Sequence, residues 1–186
     1  MNRRITLKVN GETRSVDVEP SDILIDVLRE KLGVKSPKIG CERGDCGTCT
    51  VLLDGRTVRS CLILAIEMDG REITTVEGLA HGGLTPLQQS LLKHGSFQCG
   101  FCAPGVVLSA TELLEKNPQP TEEEAKEAIA GNLCRCTGYE PIIQAILACA
   151  REPSPRAGSR RLSRKRERPE AERTGERVAG ESRRKR

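Results

Sequence analysis

The sequence predicts an α+β protein with two folded domains, residues 1–80 and 84–150, followed by a basic tail over residues 151–186. Alternating apolar residues around an Asn-Gly pair predict strands near the N-terminus. Beyond residue 84 the apolar spacing becomes helical, and two threonine-based capping boxes mark helix starts. After Ala150 the apolar periodicity is lost. We place the domain boundary near His81–Gly83.

Strand signals dominate the first domain. Asn10-Gly11 separates two alternating segments and is typical of a tight β-hairpin turn. Asp54-Gly55 predicts a second turn directly after a short apolar run. The predicted strands are Ile5–Val9, Thr13–Val18, Thr50–Leu53 and Arg71–Val76.

Helix signals occur once in the first domain and throughout the second. Ser21 or Asp22 is expected to cap a helix that runs to Leu32 and ends at Gly33. In the second domain, four helices are expected to form an all-α unit. They run from the Thr85 cap to near Gly95, over Gly105–Lys116, from the Thr121 cap to near Gly131, and over Pro141–Ala150.

Charge is distributed unevenly along the chain, although the net charge is only +4. Residues 151–186 hold 14 basic and 6 acidic residues, whereas the preceding 150 residues hold 16 basic and 20 acidic ones. Because the tail has few apolar residues, we expect it to be disordered. It has no aromatic residue for base stacking, so nucleic-acid binding is not expected.

The N-terminus and the apolar content predict a cytoplasmic protein. Arg3-Arg4 resembles an export signal, but the roughly 7–15 apolar residues that such a signal requires are interrupted at Lys8 and Asn10. No segment approaches the ~18 apolar residues of a membrane span. In a reducing compartment, the nine cysteines are expected to bind metal rather than to form disulfides.

Four cysteines of the first domain form one candidate ligand set: Cys41, Cys46, Cys49 and Cys61. Their spacing matches the plant-type C-x4-C-x2-C…C pattern of a [2Fe–2S] cluster. Glycines at positions 40, 44 and 47 allow the loop to curl while backbone N–H groups point at the sulfurs. Structural zinc is the alternative, but it usually takes cysteine pairs from two separate turns.

Four cysteines of the second domain form the other candidate set: Cys99, Cys102, Cys134 and Cys136. Both pairs fall at predicted helix ends, where free N–H groups stabilise anionic sulfur. The three aromatic residues all lie within three positions of this set, and they either shield a cluster or form the helical core. Cys149 is expected to be a packing residue, and neither His81 nor His94 is needed as a ligand.

Three motifs, GCERGDCGTCTV, QCGFCAPG and GNLCRCTGY, resemble those of the iron–sulfur subunit of molybdenum hydroxylases. This superfamily includes xanthine dehydrogenase, aldehyde oxidoreductase and aerobic carbon monoxide dehydrogenase. The resemblance covers residues 4–150. It implies a plant-ferredoxin-like β-grasp domain and a four-helix domain, each holding one [2Fe–2S] cluster on the eight cysteines above. It also implies a large molybdenum–pterin subunit and a medium FAD subunit, assembled as a dimer of heterotrimers.

The resemblance also implies an electron path from molybdenum to the helical-domain cluster, then to the first-domain cluster and to flavin. It places Gln98 against the pterin and Cys136 close to it. Ala103 departs from the family, which usually has threonine there, and its effect is not predicted. The substrate is not readable from this chain.

Two hypotheses from different classes follow from these patterns. The first is an electron-transfer subunit of a molybdenum-dependent oxidoreductase, with no substrate chemistry in this chain. The second is a stand-alone ferredoxin-like carrier or a cluster-based redox sensor. The second cysteine set favours the subunit, because a mobile ferredoxin requires only the first.

Overall fold

The computed structural model describes residues 2–80 and 82–152. Almost all of the predicted tail, and His81, lie outside these residues. The N-terminal part forms a five-stranded mixed sheet in the order β2-β1-β5-β3-β4, and helices follow it. This arrangement confirms the α+β class. The strands are β1 (Arg3–Val9), β2 (Glu12–Val18), β3 (Thr50–Leu53), β4 (Arg56–Arg59) and β5 (Glu72–Thr74).

Two tight hairpins build most of the sheet. β1 and β2 pair antiparallel through Asn10 and Gly11, both of which have positive φ, as the Asn-Gly signal predicts. β3 and β4 pair in the same way through Asp54 and Gly55. β5 joins the hairpins, lying parallel to β1 and antiparallel to β3. β4 was not predicted, because its sequence, Arg-Thr-Val-Arg, has a single aliphatic residue.

The helix that covers the sheet differs from the prediction at its start. It comprises α1 (Leu24–Asp26) and a continuing π-helical turn, Val27–Lys31. Neither Ser21 nor Asp22 caps it, and the N-cap residue is Ile23. The Asp22 carboxylate instead accepts hydrogen bonds from the Glu19 N–H and from Lys31 Nζ, at 2.9 and 2.6 Å. The predicted end is confirmed, since Gly33 follows the helix with a φ of 71°.

The predicted strand Arg71–Val76 is too long at both ends. β5 contains only three residues, and Val76 begins the short helix α2 (Val76–Leu79). The Thr75 N–H donates to the side-chain oxygen of Asn10 at 2.8 Å instead of continuing the ladder. A side chain in the β1–β2 turn therefore ends the strand.

The C-terminal helices begin and end close to the predicted residues. Thr85 and Thr121 each form the predicted capping box with the residue three positions later. Buried aliphatic residues such as Val106, Ile129 and Ile146 form a shared core among these helices. The helices are α3 (Pro86–Lys93), α4 (Ala103–Lys116), α5 (Glu122–Ile129) and α6 (Glu140–Arg151).

The helical part also packs against the sheet. The Thr57 N–H and hydroxyl, on β4, both donate to the Glu112 carboxylate on α4, at 3.0 and 2.6 Å. Among the described residues, none of the helices combines the length and apolar character needed to span a bilayer.

Candidate metal centres

The first cysteine set converges around one loop. Cys41, Cys46 and Cys49 lie between the π-helical turn and β3, and Cys61 follows β4 in a short 3-10 turn. The sulfurs of Cys49 and Cys61 are 3.3 Å apart. A disulfide bond is about 2.05 Å long, so the two are unbonded, and none of the nine cysteines forms a disulfide. The fold thus brings the predicted four cysteines together.

Backbone N–H groups point at this set, as the glycine-rich loop predicts. The N–H groups of Arg43 and Cys46 donate to Cys41 Sγ at 3.5 and 3.4 Å. These bonds lower the pKa of the Cys41 thiol to about 7. Positive φ angles at Glu42 and Gly44 give the loop the curvature that these contacts require. The loop therefore stabilises a thiolate at a partly buried position.

Burial acts in the opposite direction on other thiols. Desolvation and the neighbouring Cys49 raise the pKa of Cys61 to about 11. Desolvation and the neighbouring Cys134 raise the pKa of Cys102 to about 12. A metal ligand must be a thiolate, so binding at these buried positions requires a cation that replaces the proton.

The second cysteine set lies among the helices. Cys99 and Cys102 precede α4, while Cys134 and Cys136 occupy the connection between α5 and α6. The sulfurs of Cys99 and Cys136 are 3.5 Å apart, and both residues are exposed. Cys102 is buried, and its thiol contacts that of Cys134. The four cysteines predicted as a set are again gathered at one place.

The donor arrangement fits a [2Fe–2S] cluster at each site better than a single metal ion. Within the described residues, no group of three or more His, Cys, Asp or Glu side chains is placed to hold one ion. Each set instead divides into contacting pairs. The sulfurs of Cys49 and Cys61 are 3.3 Å apart, and those of Cys99 and Cys136 are 3.5 Å apart. A [2Fe–2S] cluster takes four cysteine ligands on two irons, so two thiolates serve each iron.

The two sets are joined directly through backbone. The Leu133 N–H donates to the Cys46 carbonyl oxygen at 2.9 Å, and Leu133 immediately precedes Cys134. Asn132 is 1% exposed, and its side-chain amide donates to the Gly47 carbonyl at 3.0 Å. The Ser109 hydroxyl donates to the Asn132 side-chain oxygen at 2.8 Å. Asn132, which lies two residues before Cys134, therefore links the loop of the first cysteine set to the second set and to α4.

Arg59 and two glycines complete the junction between the two cysteine sets. The Arg59 guanidinium donates to the Gly131 carbonyl at 2.7 Å and to the Thr50 hydroxyl at 2.6 Å. A β-carbon at Gly47 would meet the Gly131 carbonyl oxygen, and one at Gly105 would meet the Gly47 oxygen. Sequence analysis identified neither Asn132 nor Arg59 as a functional residue, because a polar residue beside a ligand motif is also typical of an ordinary loop.

The other residues singled out from the sequence have distinct positions. Gln98 is exposed, and its side-chain amide donates to the Cys136 carbonyl at 3.0 Å. Cys149 packs against the helical core and belongs to neither set. His94 contacts the Ser90 carbonyl oxygen through Nδ1. Ala103 is the first residue of α4, directly after Cys102.

The three aromatic residues near the second set differ in their burial. Phe97 and Tyr139 are partly buried and pack against the helical core. Phe101 is 45% exposed, and Lys38 Nζ lies 5.8 Å from its ring centroid. Because Lys38 precedes the first cysteine loop, this contact also joins the two cysteine-bearing regions.

Comparison with known protein families identifies two iron–sulfur regions. Residues 7–80 match a family described as "2Fe-2S iron-sulfur cluster binding domain", and residues 75–147 match one described as "[2Fe-2S] binding domain". The fold and both sites thus define a protein with two [2Fe–2S] clusters.

Individual relatives agree with this class. The nicotine 6-hydroxylase small subunit of Paenarthrobacter nicotinovorans is 54% identical over 77% of this chain and 87% of the relative. The nicotinate dehydrogenase small FeS subunit of Eubacterium barkeri is 50% identical over 76% of this chain and 91% of its own length. A solved structure, quinoline 2-oxidoreductase from Pseudomonas putida 86, superposes with a TM-score of 0.78 at 49% identity, covering 80% of this chain and 94% of that one.

The chain belongs to the molybdenum hydroxylase family, as an iron–sulfur subunit of a molybdenum-dependent oxidoreductase. Its two cofactors are [2Fe–2S] clusters, and its role is electron transfer. These findings confirm the resemblance stated from the three sequence motifs.

Proposed function

We propose that the chain relays electrons from a molybdenum–pterin subunit to the cluster of its helical part, then to the cluster of its N-terminal part, and on to an FAD subunit. The observation that carries this proposal is the contact between the two cysteine sets. The Leu133 N–H and the Cys46 carbonyl connect the backbones of two candidate ligands, Cys134 and Cys46, through one hydrogen bond of 2.9 Å. Such proximity suits direct transfer between two bound clusters.

The eight paired cysteines are the proposed ligands. Cys41, Cys46, Cys49 and Cys61 hold the first cluster, and Cys99, Cys102, Cys134 and Cys136 hold the second. When bound, a [2Fe–2S] cluster accepts and releases single electrons at a potential set by its hydrogen bonds and solvent exposure. The protein contributes the N–H groups of Arg43 and Cys46 at the first site. At the second site, the Thr137 hydroxyl lies 3.2 Å from Cys134 Sγ.

The exposed edge of the second site is the proposed docking face for the pterin subunit. Cys99, Cys136 and Gln98 are all exposed there, whereas Cys49 and Cys61 of the first site are buried. A cluster that receives electrons from another subunit must lie near the surface of its own chain. We place Gln98 and Cys136 beside the pterin for this reason.

The finer architecture belongs to the same proposal. Residues 1–80 form a plant-ferredoxin-like β-grasp domain, and residues 84–150 form a four-helix domain. The large and medium subunits complete a dimer of heterotrimers in the cytoplasm. Relatives named for nicotine, nicotinate and quinoline make nitrogen heteroaromatic rings the first substrate class to test.

Purification of the chain alone provides the test of this function. We expect about four irons and four acid-labile sulfides per chain, because each [2Fe–2S] cluster supplies two of each. Dithionite should reduce the isolated chain, but no heteroaromatic compound should, because this chain offers no substrate chemistry. Substrate-dependent reduction should appear only after molybdenum and FAD subunits are added. Stoichiometric zinc, or full activity without the partners, would refute the proposal.

Gln98 offers a test of the pterin contact within the assembled complex. Gln98→Leu keeps much of the side-chain volume and removes an amide that has two donors and one acceptor. We expect slower substrate-driven reduction of both clusters in rapid mixing, about tenfold, which corresponds to the loss of one buried hydrogen bond. Spectra of the dithionite-reduced variant should stay normal.

Gln89→Leu is the matched control for that experiment. Gln89 is also exposed, and its amide donates to the Leu84 carbonyl at 2.9 Å, on a helix that carries no candidate ligand. Its loss should leave the rate unchanged. Equal rates for both variants would mean that Gln98 only supports the local turn.

A further inference from the structure

Tyr139 has a backbone conformation that its residue type does not favour. Its φ is 71°, in the left-handed region, and Gly138 before it has a φ of 65°. A bulky side chain in this region is strained and persists only where its surroundings fix it. Two consecutive left-handed residues thus connect Cys136 to α6.

Helix capping at the start of α6 does not explain why a tyrosine occupies this position. Tyr139 is the N-cap position, where Ser, Thr, Asp or Asn would satisfy a free N–H, and its side chain makes no capping bond. Its ring packs against the helical core, but a phenylalanine ring would do the same. What phenylalanine lacks is the hydroxyl.

That hydroxyl is turned back towards the second cysteine set. It accepts a hydrogen bond from the Cys134 N–H at 2.8 Å and donates to the Asn132 carbonyl oxygen at 3.3 Å. It therefore holds the two residues on either side of Leu133, whose own N–H contacts the first cysteine loop.

The backbone of Tyr139 acts on the same cysteine from the other side. Its N–H donates to the Thr137 hydroxyl oxygen at 3.2 Å, and that oxygen lies 3.2 Å from Cys134 Sγ. Because the Thr137 oxygen already accepts from Tyr139, its hydrogen is free to point at the sulfur. A thiolate has no proton of its own, so Thr137 must be the donor in this contact.

We propose that Tyr139 is a positioning residue for the second [2Fe–2S] cluster, because its hydroxyl fixes the Asn132–Cys134 segment while its N–H orients the Thr137 hydroxyl towards the Cys134 sulfur. This inference rests on the proposed ligand role of Cys134. Hydrogen bonds to ligand sulfur stabilise the more negative, reduced state of a cluster and raise its potential. Tyr139 thereby keeps the potential of the second cluster high enough to receive electrons.

Tyr139→Phe tests this role in the full iron-loaded chain, with redox titration followed by electron paramagnetic resonance. The substitution keeps the Tyr139 N–H but releases the Asn132–Cys134 segment, so the Cys134 sulfur loses its fixed position relative to the Thr137 hydroxyl. We expect the second cluster to shift to a more negative potential and to change its line shape, while the first cluster keeps both. Thr137→Val should shift the same signal in the same direction, because it removes the donor itself. These readouts do not depend on the partner subunits, so they remain informative if the proposed electron path fails.

Thr111→Val is the matched control, since it also removes a hydroxyl bond to a backbone carbonyl in the helical part, that of Val107 at 2.8 Å. It should move neither signal. An unchanged second-cluster signal in Tyr139→Phe, or equal shifts in Thr111→Val, would overturn the proposal. If the wild-type chain itself showed only one [2Fe–2S] signal, the ligand assignment would fail instead.

Discussion

Replacing Cys46 with serine is expected to remove one of the two clusters and to reduce substrate oxidation by the assembled complex to background. The thiolate is the better iron ligand, and the remaining three cysteines cannot supply two sulfurs to each iron. The backbone contact between Cys46 and Leu133 is retained, because it uses the carbonyl oxygen. Iron content should fall to about two per chain, and one paramagnetic signal of the reduced protein should disappear.

The ninth cysteine provides the control for this substitution. Cys149 packs against the helical core and belongs to neither set. Cys149→Ser should therefore keep both signals and the full iron content. Loss of both signals in a folded Cys46→Ser protein would contradict two separate cluster sites.

Alanine at Gly47 is expected to destabilise the junction between the two cysteine sets. The position has a φ of 74°, and an added β-carbon would lie 2.7 Å from the Asn132 amide nitrogen and 2.9 Å from its Cα. Asn132 is buried and hydrogen-bonded to both Ser109 and the Gly47 carbonyl, so it cannot move aside at low cost. Overpacking of this kind costs about 1–3 kcal/mol, in addition to about 1–2 kcal/mol for the left-handed backbone.

Gly33→Ala separates the two contributions. Gly33 has a φ of 71°, but nothing lies within 4 Å of its added β-carbon. Thermal unfolding of both iron-loaded variants, followed by circular dichroism, should give a Tm for Gly47→Ala about 5 °C below that of Gly33→Ala, given about 2–4 °C per kcal/mol in a chain of this size. Equal Tm values would show that the junction tolerates the extra methyl group.

Local signals predicted much of the fold because local chemistry decides those elements. Thr85 and Thr121 cap their helices with their own side chains, and Asn10-Gly11 adopts the positive φ angles that this pair favours in a tight hairpin turn. The predictions were wrong where a contact with a residue elsewhere in the chain determines the end of an element. Lys31 draws Asp22 away from the predicted cap, and Asn10 ends β5 at Thr75.

The candidate sites likewise have a part that local sequence predicts and a part that distant contacts determine. Cysteine spacing predicted both groupings that the fold brings together, because three cysteines of the first set lie in one loop and those of the second lie in two tight pairs. The junction was not predictable, since Asn132 contacts Gly47 across 85 positions and Arg59 contacts Gly131 across 72. Nothing in the spacing of a single sequence indicates which polar residue will be buried at such a contact.

The position of β5 in the sheet differs from its position in the order of synthesis. β5 lies at the centre of the sheet, between β1 and β3, yet it is the last strand to be translated. Cys41, Cys46, Cys49 and Cys61 all precede it in the chain. While the ribosome has not yet released residues 72–74, the β1–β2 hairpin and the β3–β4 hairpin have no strand between them. All four thiols of the first set are therefore synthesised before the strand that closes the sheet.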